Sequence, residues 1–265
     1  TFAGKIWSLL HEGHQSCYDS ETLCRILTEA GWDPQFSQFR STNIASVNQI
    51  LNLSVFAVIR PTSVATSPNV AAKFTTADNG WACFLSSVAA TNSMRFFRSW
   101  SISPGQWRTN SIFTLGEKFN VIYTYDATNI LDVPAMYYNG SSLAVTQVNG
   151  PVGVSPVDDS TGPLVIGSDT MGNGNYFNGR IFEVAVWDKI LTDYEIQRLS
   201  RSKVKGFASQ ISPSNLKAYY LLDQAPNGAV AATSRMFRDI SGNGNHGTPV
   251  NSPVGAAEAS SSYAP

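Results

Sequence analysis

Through the middle of the chain, apolar residues come in short runs closed by Gly, Pro, Asn, Asp or Ser. LSVFAVIRP (53–61), GWACFLSS (80–87), SMRFFRSW (93–100) and KFNVIYTYD (118–126) are rich in β-branched and aromatic residues. So are PAMYYNG (134–140), PLVIGSD (163–169) and GRIFEVAVWD (179–188). Each predicts a strand. Many short strands with little helix between them predict an antiparallel sandwich rather than a parallel sheet. Asn-Gly at 139–140, between two strand-like runs, predicts a hairpin. Two stretches switch to helical spacing. Residues 19–34 carry Leu23, Ile26, Leu27 and Ala30 on one face, with Gly31 and Pro34 as stop signals. Residues 192–200 open with a capping box, Thr192 to Glu195, and put Ile196 and Leu199 on one face.

Composition adds few constraints. At 265 residues there is ample chain for a core. Only 14% of residues are charged and the net charge is −1, so nothing resembles a nucleic-acid surface. No apolar run has the length of a membrane-spanning helix. The three cysteines, Cys17, Cys24 and Cys83, make no disulfide framework. Cys17 and Cys24 can pair only if the segment between them is not helical, since a spacing of seven on a helix holds them about 10 Å apart.

Residues 43–200 resemble the laminin-G-like, concanavalin A-like jelly-roll family that includes pentraxins. LSVFAVIRPTS is similar to its early core strand, and KFNVIYTYDATNILDVPAMYYNGSSLA to its hairpin. LVIGSDTMGNGNYFNGRIFEVAVWDKILTDYEIQRL is similar to its closing block. The resemblance implies an all-β, antiparallel jelly-roll β-sandwich. Where the family often carries Asp before the Glu of the last strand, this chain has Phe182 beside Glu183. NLKAYYLLDQAPNGAVAATSRMFRDISGNGNHGT (215–248) resembles the segment that normally opens such a domain, yet here it follows the closing helix. The domain is either circularly permuted or followed by a second copy cut short. The roughly 65 residues left are too few for a second sandwich, which favours permutation. The expected layout is an N-terminal arm with a short helix (1–42), the sandwich (43–200), and a C-terminal segment that completes it before a tail (201–265). Permuted chains ending this way are similar to phage-encoded members.

The candidate chemistry starts from a motif written twice, DTMGNGN (169–175) and DISGNGN (239–245). Oxygen side chains on a glycine-rich loop suit calcium, and they equally suit a tight turn. Asp169, Asn173 and Asn175, joined by Asp126, form the candidate calcium set, with Asp158 and Asp159 as further carboxylates. Calcium is the one cofactor the resemblance leaves open. His11, His14 and Cys17 fall at spacings of three, as zinc ligands on a helix would, but Gly13 weakens the helix and no fourth ligand is evident. No Glu-x-Asp-x-Glu pattern of the related glucanases occurs, so no catalytic residue is expected. The six tryptophans can stack on sugars or fill the core. The expectation is a non-enzyme at a virion or other extracellular surface, touching protein subunits of an assembly, or else a glycan-binding lectin-like module. The chain is expected to be oligomeric or assembly-bound, with no nucleic acid and no membrane insertion.

Overall fold

The computed structural model describes residues 47–65, 67–74, 79–88, 91–110, 113–169, 175–222 and 237–248. The expectations for the helix at 19–34, for Cys17, Cys24, His11 and His14, and for the terminal tail lie outside the described residues. Two six-stranded sheets are formed. Sheet 1 runs β12 (Leu216–Tyr220), β11 (Gly179–Trp187), β1 (Asn52–Pro61), β6 (Phe119–Asp126), β7 (Ala135–Tyr138), β8 (Ser141–Ser142). Sheet 2 runs β10 (Leu164–Ile166), β2 (Asn69–Phe74), β3 (Gly80–Val88), β4 (Thr91–Arg98), β5 (Gly105–Thr109), β9 (Val145–Asn149). All pairings are antiparallel. One α-helix, α1 (Asp193–Arg201), stands among the described residues.

The two inner faces make one core. Val55, Ala57, Ile59, Val121, Tyr123 and Val184 of sheet 1 meet Trp81, Cys83, Leu85, Met94, Phe96 and Trp107 of sheet 2. The outer face of sheet 1 is also buried: Phe56, Val58, Ala185 and Trp187 pack under Ile196 and Leu199 of α1 and under Ala208 and Ile211. This double burial explains why β1 reads as an unbroken apolar run rather than an alternation. It also settles the tryptophans within the described residues. Trp81, Trp100, Trp107 and Trp187 are core side chains, none of them free to stack on a sugar.

Local signals act as their chemistry requires. Asn139 and Gly140 both take positive φ, 47° and 81°, which is the backbone of a tight two-residue hairpin turn between β7 and β8. A Cβ on Gly140 would lie 2.8 Å from the Ser200 Cβ, so the turn packs closely on α1. The capping box forms: Thr192 N–H and Oγ1–H donate to Glu195 Oε2 at 2.8 and 3.0 Å, and Glu195 N–H donates to Thr192 Oγ1 at 3.3 Å. Lys189 Nζ and the Ser212 hydroxyl both reach Glu195 Oε1, at 2.6 and 2.5 Å. Burial alone would raise the Glu195 pKa, but these donors outweigh it and hold the group at about 2.

At one end of the sandwich the loop before β10 is tied down by buried charge. Lys73 Nζ donates to the Asp159 and Gly162 carbonyls at 2.7 and 2.5 Å, and Arg98 pairs with Asp159 Oδ2 at 3.3 Å. Asp159 Oδ1 takes the Gln49 N–H at 2.7 Å. Burial pushes the Lys73 ammonium pKa down, against the pull of Asp159.

Candidate functional site

The repeated motif meets two different fates. In the second copy Asp239 is buried, and its carboxylate accepts four hydrogen bonds. Oδ1 takes the N–H groups of Tyr219 and Ser241, each at 2.9 Å. Oδ2 takes the Ser241 hydroxyl at 2.8 Å and the Asn245 N–H at 2.9 Å. The Asn243 and Asn245 amides donate to the Leu216 and Lys217 carbonyls of β12, at 2.8 and 2.6 Å. Tyr220 donates its hydroxyl to the Asn245 carbonyl at 2.5 Å. The carboxylate of the motif is filled by protein donors and the amide nitrogens of both asparagines are turned to the backbone of β12. The glycines at 242 and 244 hold φ of 91° and 72°, which lets the loop curl around Asp239. This copy is a clasp that locks residues 237–247 onto β12.

In the first copy Asp169 Oδ2 accepts from the Asn175 amide at 2.9 Å. Asn175 is exposed at φ 46°, and its carbonyl takes the Asn69 N–H at 2.9 Å, pinning the loop's return to β2. Asn173 lies outside the described residues. Asp126 is elsewhere. It pairs with Asn52 at the start of β1, whereas the 169–178 loop leads into Gly179, which pairs with Pro61 at the end of β1. Nine steps of strand separate these points, roughly 30 Å at about 3.3 Å per residue. Asp126 and the Asp169–Asn175 pair therefore occupy opposite ends of the sandwich and cannot share one ion. Asp126 Oδ1 is engaged by the Thr128 N–H and hydroxyl at 2.8 and 2.6 Å, a local turn. Asp159 is committed to Arg98 and Gln49, and Asp158 to the Ser160 N–H at 2.7 Å. Among the described residues no three His, Cys, Asp or Glu side chains gather closely enough to hold a metal. Asp126 and Asp169 therefore do not combine toward the six to eight oxygens that calcium takes.

The six strands of sheet 2 contain no Asp or Glu. Glu183 sits on the covered outer face of sheet 1, accepting the Tyr219 hydroxyl at 2.8 Å. Beside it Phe182 stands where the resemblance expects Asp. Its ring lies 4.1 Å from Lys118 Nζ and 5.9 Å from the Arg60 guanidinium carbon. Here an aromatic face lies beside two cations.

An exposed aliphatic ridge lies at the other edge of sheet 2. There the chain from 150 to 156 folds back against residues 100–103, with bridges Trp100–Pro156 and Ser103–Val152. Ile102 and Ser103 both donate N–H groups to the Val152 carbonyl, at 3.1 and 3.0 Å. Gly153, at φ 136°, approaches so closely that a Cβ would fall 2.3 Å from Ser101 Oγ. The backbone is thus held firmly while the side chains above it point to solvent: Ile102 is 76% exposed, Val152 47% and Val154 94%. Val148 of β9, the edge strand next to them, is exposed as well. Sequence reasoning did not single out this ridge, because exposure of three aliphatic residues depends on which loop the edge strand turns into.

The sequence matches no curated protein. Among solved structures the chain is similar to a SAP-like pentraxin from Limulus polyphemus, with 19% identity over 58% of this chain and 71% of that one at a TM-score of 0.44. It is similar to the CBM40 of the Ruminococcus gnavus IT-sialidase, with 12% identity over 57% and 83% at a TM-score of 0.46. A further likeness is to the enzymatically active domain of tailspike protein 2 of bacteriophage CBA120, with 13% identity over 67% of this chain but 27% of that one at a TM-score of 0.49. The sequence signature of the concanavalin A-like lectin/glucanases superfamily, of laminin-G type, spans residues 36–197, more than half of the chain. With two antiparallel sheets around one core and a single described helix laid over the outer face, the protein belongs to that superfamily and has its jelly-roll fold.

Proposed function

We propose that the protein is a non-catalytic surface component, extracellular or on a virion, that works by non-covalent contact with other protein subunits of a larger assembly. The observation that carries this reading is the ridge of Ile102, Val152 and Val154. Three aliphatic side chains held on a rigid backbone beside an open strand edge are the form of a surface that is covered by a partner. The lack of any carboxylate in the strands of sheet 2 supports the non-catalytic part of the reading.

A second reading, glycan binding, is favoured by the outer face of sheet 2. There the Arg95 guanidinium lies 5.3 Å over the Phe84 ring and donates to Gln106 Oε1 at 3.1 Å, giving a polar and aromatic strip. A paired experiment separates the two. The mass of the full chain is measured by sedimentation, and the same preparation is screened on a neutral-glycan array. An oligomer without a glycan signal is the result expected. A monomer at all concentrations that binds a glycan would replace the assembly reading with the lectin.

A further inference from the structure

We infer that the groove at the C-terminal end of α1 receives the 129–133 loop of a second copy of this chain, a contact that rests on the assembly reading above and joins subunits that the ridge also holds. The groove encloses about 350 Å³ and is lined by Tyr194, Gln197, Arg198, Arg201 and Phe207. Lys203 and the exposed Val204 follow directly in the chain. Among the described residues no carboxylate pairs with Arg198, Arg201 or Lys203. Gln197 donates to the Gly140 carbonyl at 2.7 Å, which ties one wall of the groove to the β7–β8 turn.

The other half of the contact lies at the opposite end of the same helix. Leu131 is 82% exposed and Val133 54%, with Asp132 between them. The loop is held in shape by its own hydrogen bonds. The Leu131 N–H donates to Asn129 Oδ1 at 3.0 Å, and the Asp132 N–H to the Asn129 carbonyl at 3.2 Å. Asp132 and Val133 line a second groove together with Asp126, Thr192 and Asp193, where α1 begins. One end of α1 thus carries carboxylates beside exposed aliphatic side chains, and the other carries guanidinium groups beside an aromatic-lined groove. The helix dipole accounts for the sign of the charges at the two ends. It does not account for Leu131 standing in solvent, nor for Tyr194, 72% exposed beside a groove of that size.

The two halves lie too far apart to meet within one molecule. They sit at the two ends of a nine-residue helix, roughly 13 Å long at about 1.5 Å per residue. Two copies related by a two-fold axis, with their α1 helices antiparallel, bring each loop to the other copy's groove and satisfy both ends at once. Leu131 then fills the space beside the Tyr194 and Phe207 rings, and Asp132 meets Arg198 and Arg201. A foreign partner would have to carry both halves of this pattern, whereas a second copy has them already. The groove has room for a leucine side chain and the carboxylate next to it, well short of an interface that is stable alone. The contact therefore adds to the ridge and does not replace it. Because loop and groove wall are both fixed beforehand, little ordering is lost when they meet.

The test uses the full chain. Equal amounts of unlabelled and isotope-labelled chain are mixed at the concentration where the parent assembles and are treated with a carbodiimide, which joins a carboxylate to an ammonium group in contact with it. Peptides that link Asp132 of one isotope to Lys203 of the other are expected. Sedimentation velocity over a dilution series then reads the strength of the contact. Arg198→Glu with Arg201→Glu should raise the concentration at which the assembly falls apart at least tenfold, and Asp132→Arg should do the same. An equal mixture of the two variants should return to the parent's value, because reversed loop meets reversed groove and native loop meets native groove. Circular dichroism and the melting temperature of each variant should stay near the parent's, since none of these side chains is buried. Raised salt should weaken the parent's contact in the same direction as the reversals. An assembly indifferent to both reversals, variants whose mixture stays dissociated, or the absence of mixed-isotope peptides would overturn this contact and leave the ridge reading standing. A parent that is a single chain at every concentration would overturn both.

Discussion

Asp239 and Asp169 begin the same seven-residue pattern, yet only the first is a fully engaged carboxylate. The difference comes from what each loop lies against. Asp239 faces β12, whose free backbone groups it and its two asparagines satisfy, whereas Asp169 accepts from the exposed Asn175 amide. The sequence showed the oxygen donors and the glycines but not their neighbours, and so left turn and cation loop both open. Replacing Asp239 by Ala should destabilise the fold by roughly 2–4 kcal/mol, since several buried donors lose their acceptor at once. Urea unfolding of the variant checks this, and a loss under about 0.5 kcal/mol would show that the clasp is dispensable. Glu195 supplies a pH test. Its folded pKa of about 2 lies below the unfolded value of 4.5, so the native state gives up this proton more readily than the unfolded chain. The stability it contributes is therefore complete above pH 4.5 and is lost as pH falls toward 2. Glu195→Gln should melt below the parent at neutral pH, with the gap closing toward pH 2; a gap that does not change with pH would contradict the pairing with Lys189.

At the scale of elements, the periodic signals were legible where one force dominates. β1, β3, β6 and β11 stand within a residue or two of their predicted bounds because their apolar runs are buried on one or both faces. The Asn-Gly hairpin and the Thr192–Glu195 capping box formed for local reasons that need no tertiary context. β2, β5 and β9 did not announce themselves. NVAAKF, GQWRT and VTQVN are short and mix Ala, Lys, Gln and Gly into the strand, so their pairing is imposed by neighbours. The C-terminal segment is the element on which the permutation proposal rests. β12 pairs with β11 from Leu216 to Tyr220, and the turn before it supplies the Ile211 carbonyl that the Trp187 indole N–H reaches at 2.8 Å. Ending the chain after Ser202 removes that strand, that acceptor and the cover of Ala208 and Ile211. The shortened protein should lose several kcal/mol and with it cooperative melting. Scanning calorimetry decides, and a truncated chain melting sharply near the parent temperature would remove the permutation proposal.

For the whole molecule, the fold was readable from residues 43–200 because the closing block of the family is long and keeps its order. The candidate calcium set was not readable as separate pieces: Asp126 and Asp169 look alike in sequence, and only the antiparallel course of β1 puts them at opposite ends. The exposed ridge was equally invisible, since Ile102 and Val154 are 52 residues apart and only the bridges beside β9 bring their segments together. Charged residues placed on that ridge should leave the core untouched while blocking its burial against a neighbour. The central claim, that the protein works by contact with other subunits through this ridge, is tested most directly by sedimentation-velocity mass of the full chain beside its Ile102→Asp, Val154→Asp variant, both at the same concentration. The account predicts a parent mass that is a multiple of the 28.7 kDa chain and a folded variant at or near the single-chain mass. A parent that stays at the single-chain mass across the concentration range, or a variant that assembles as the parent does, would contradict it.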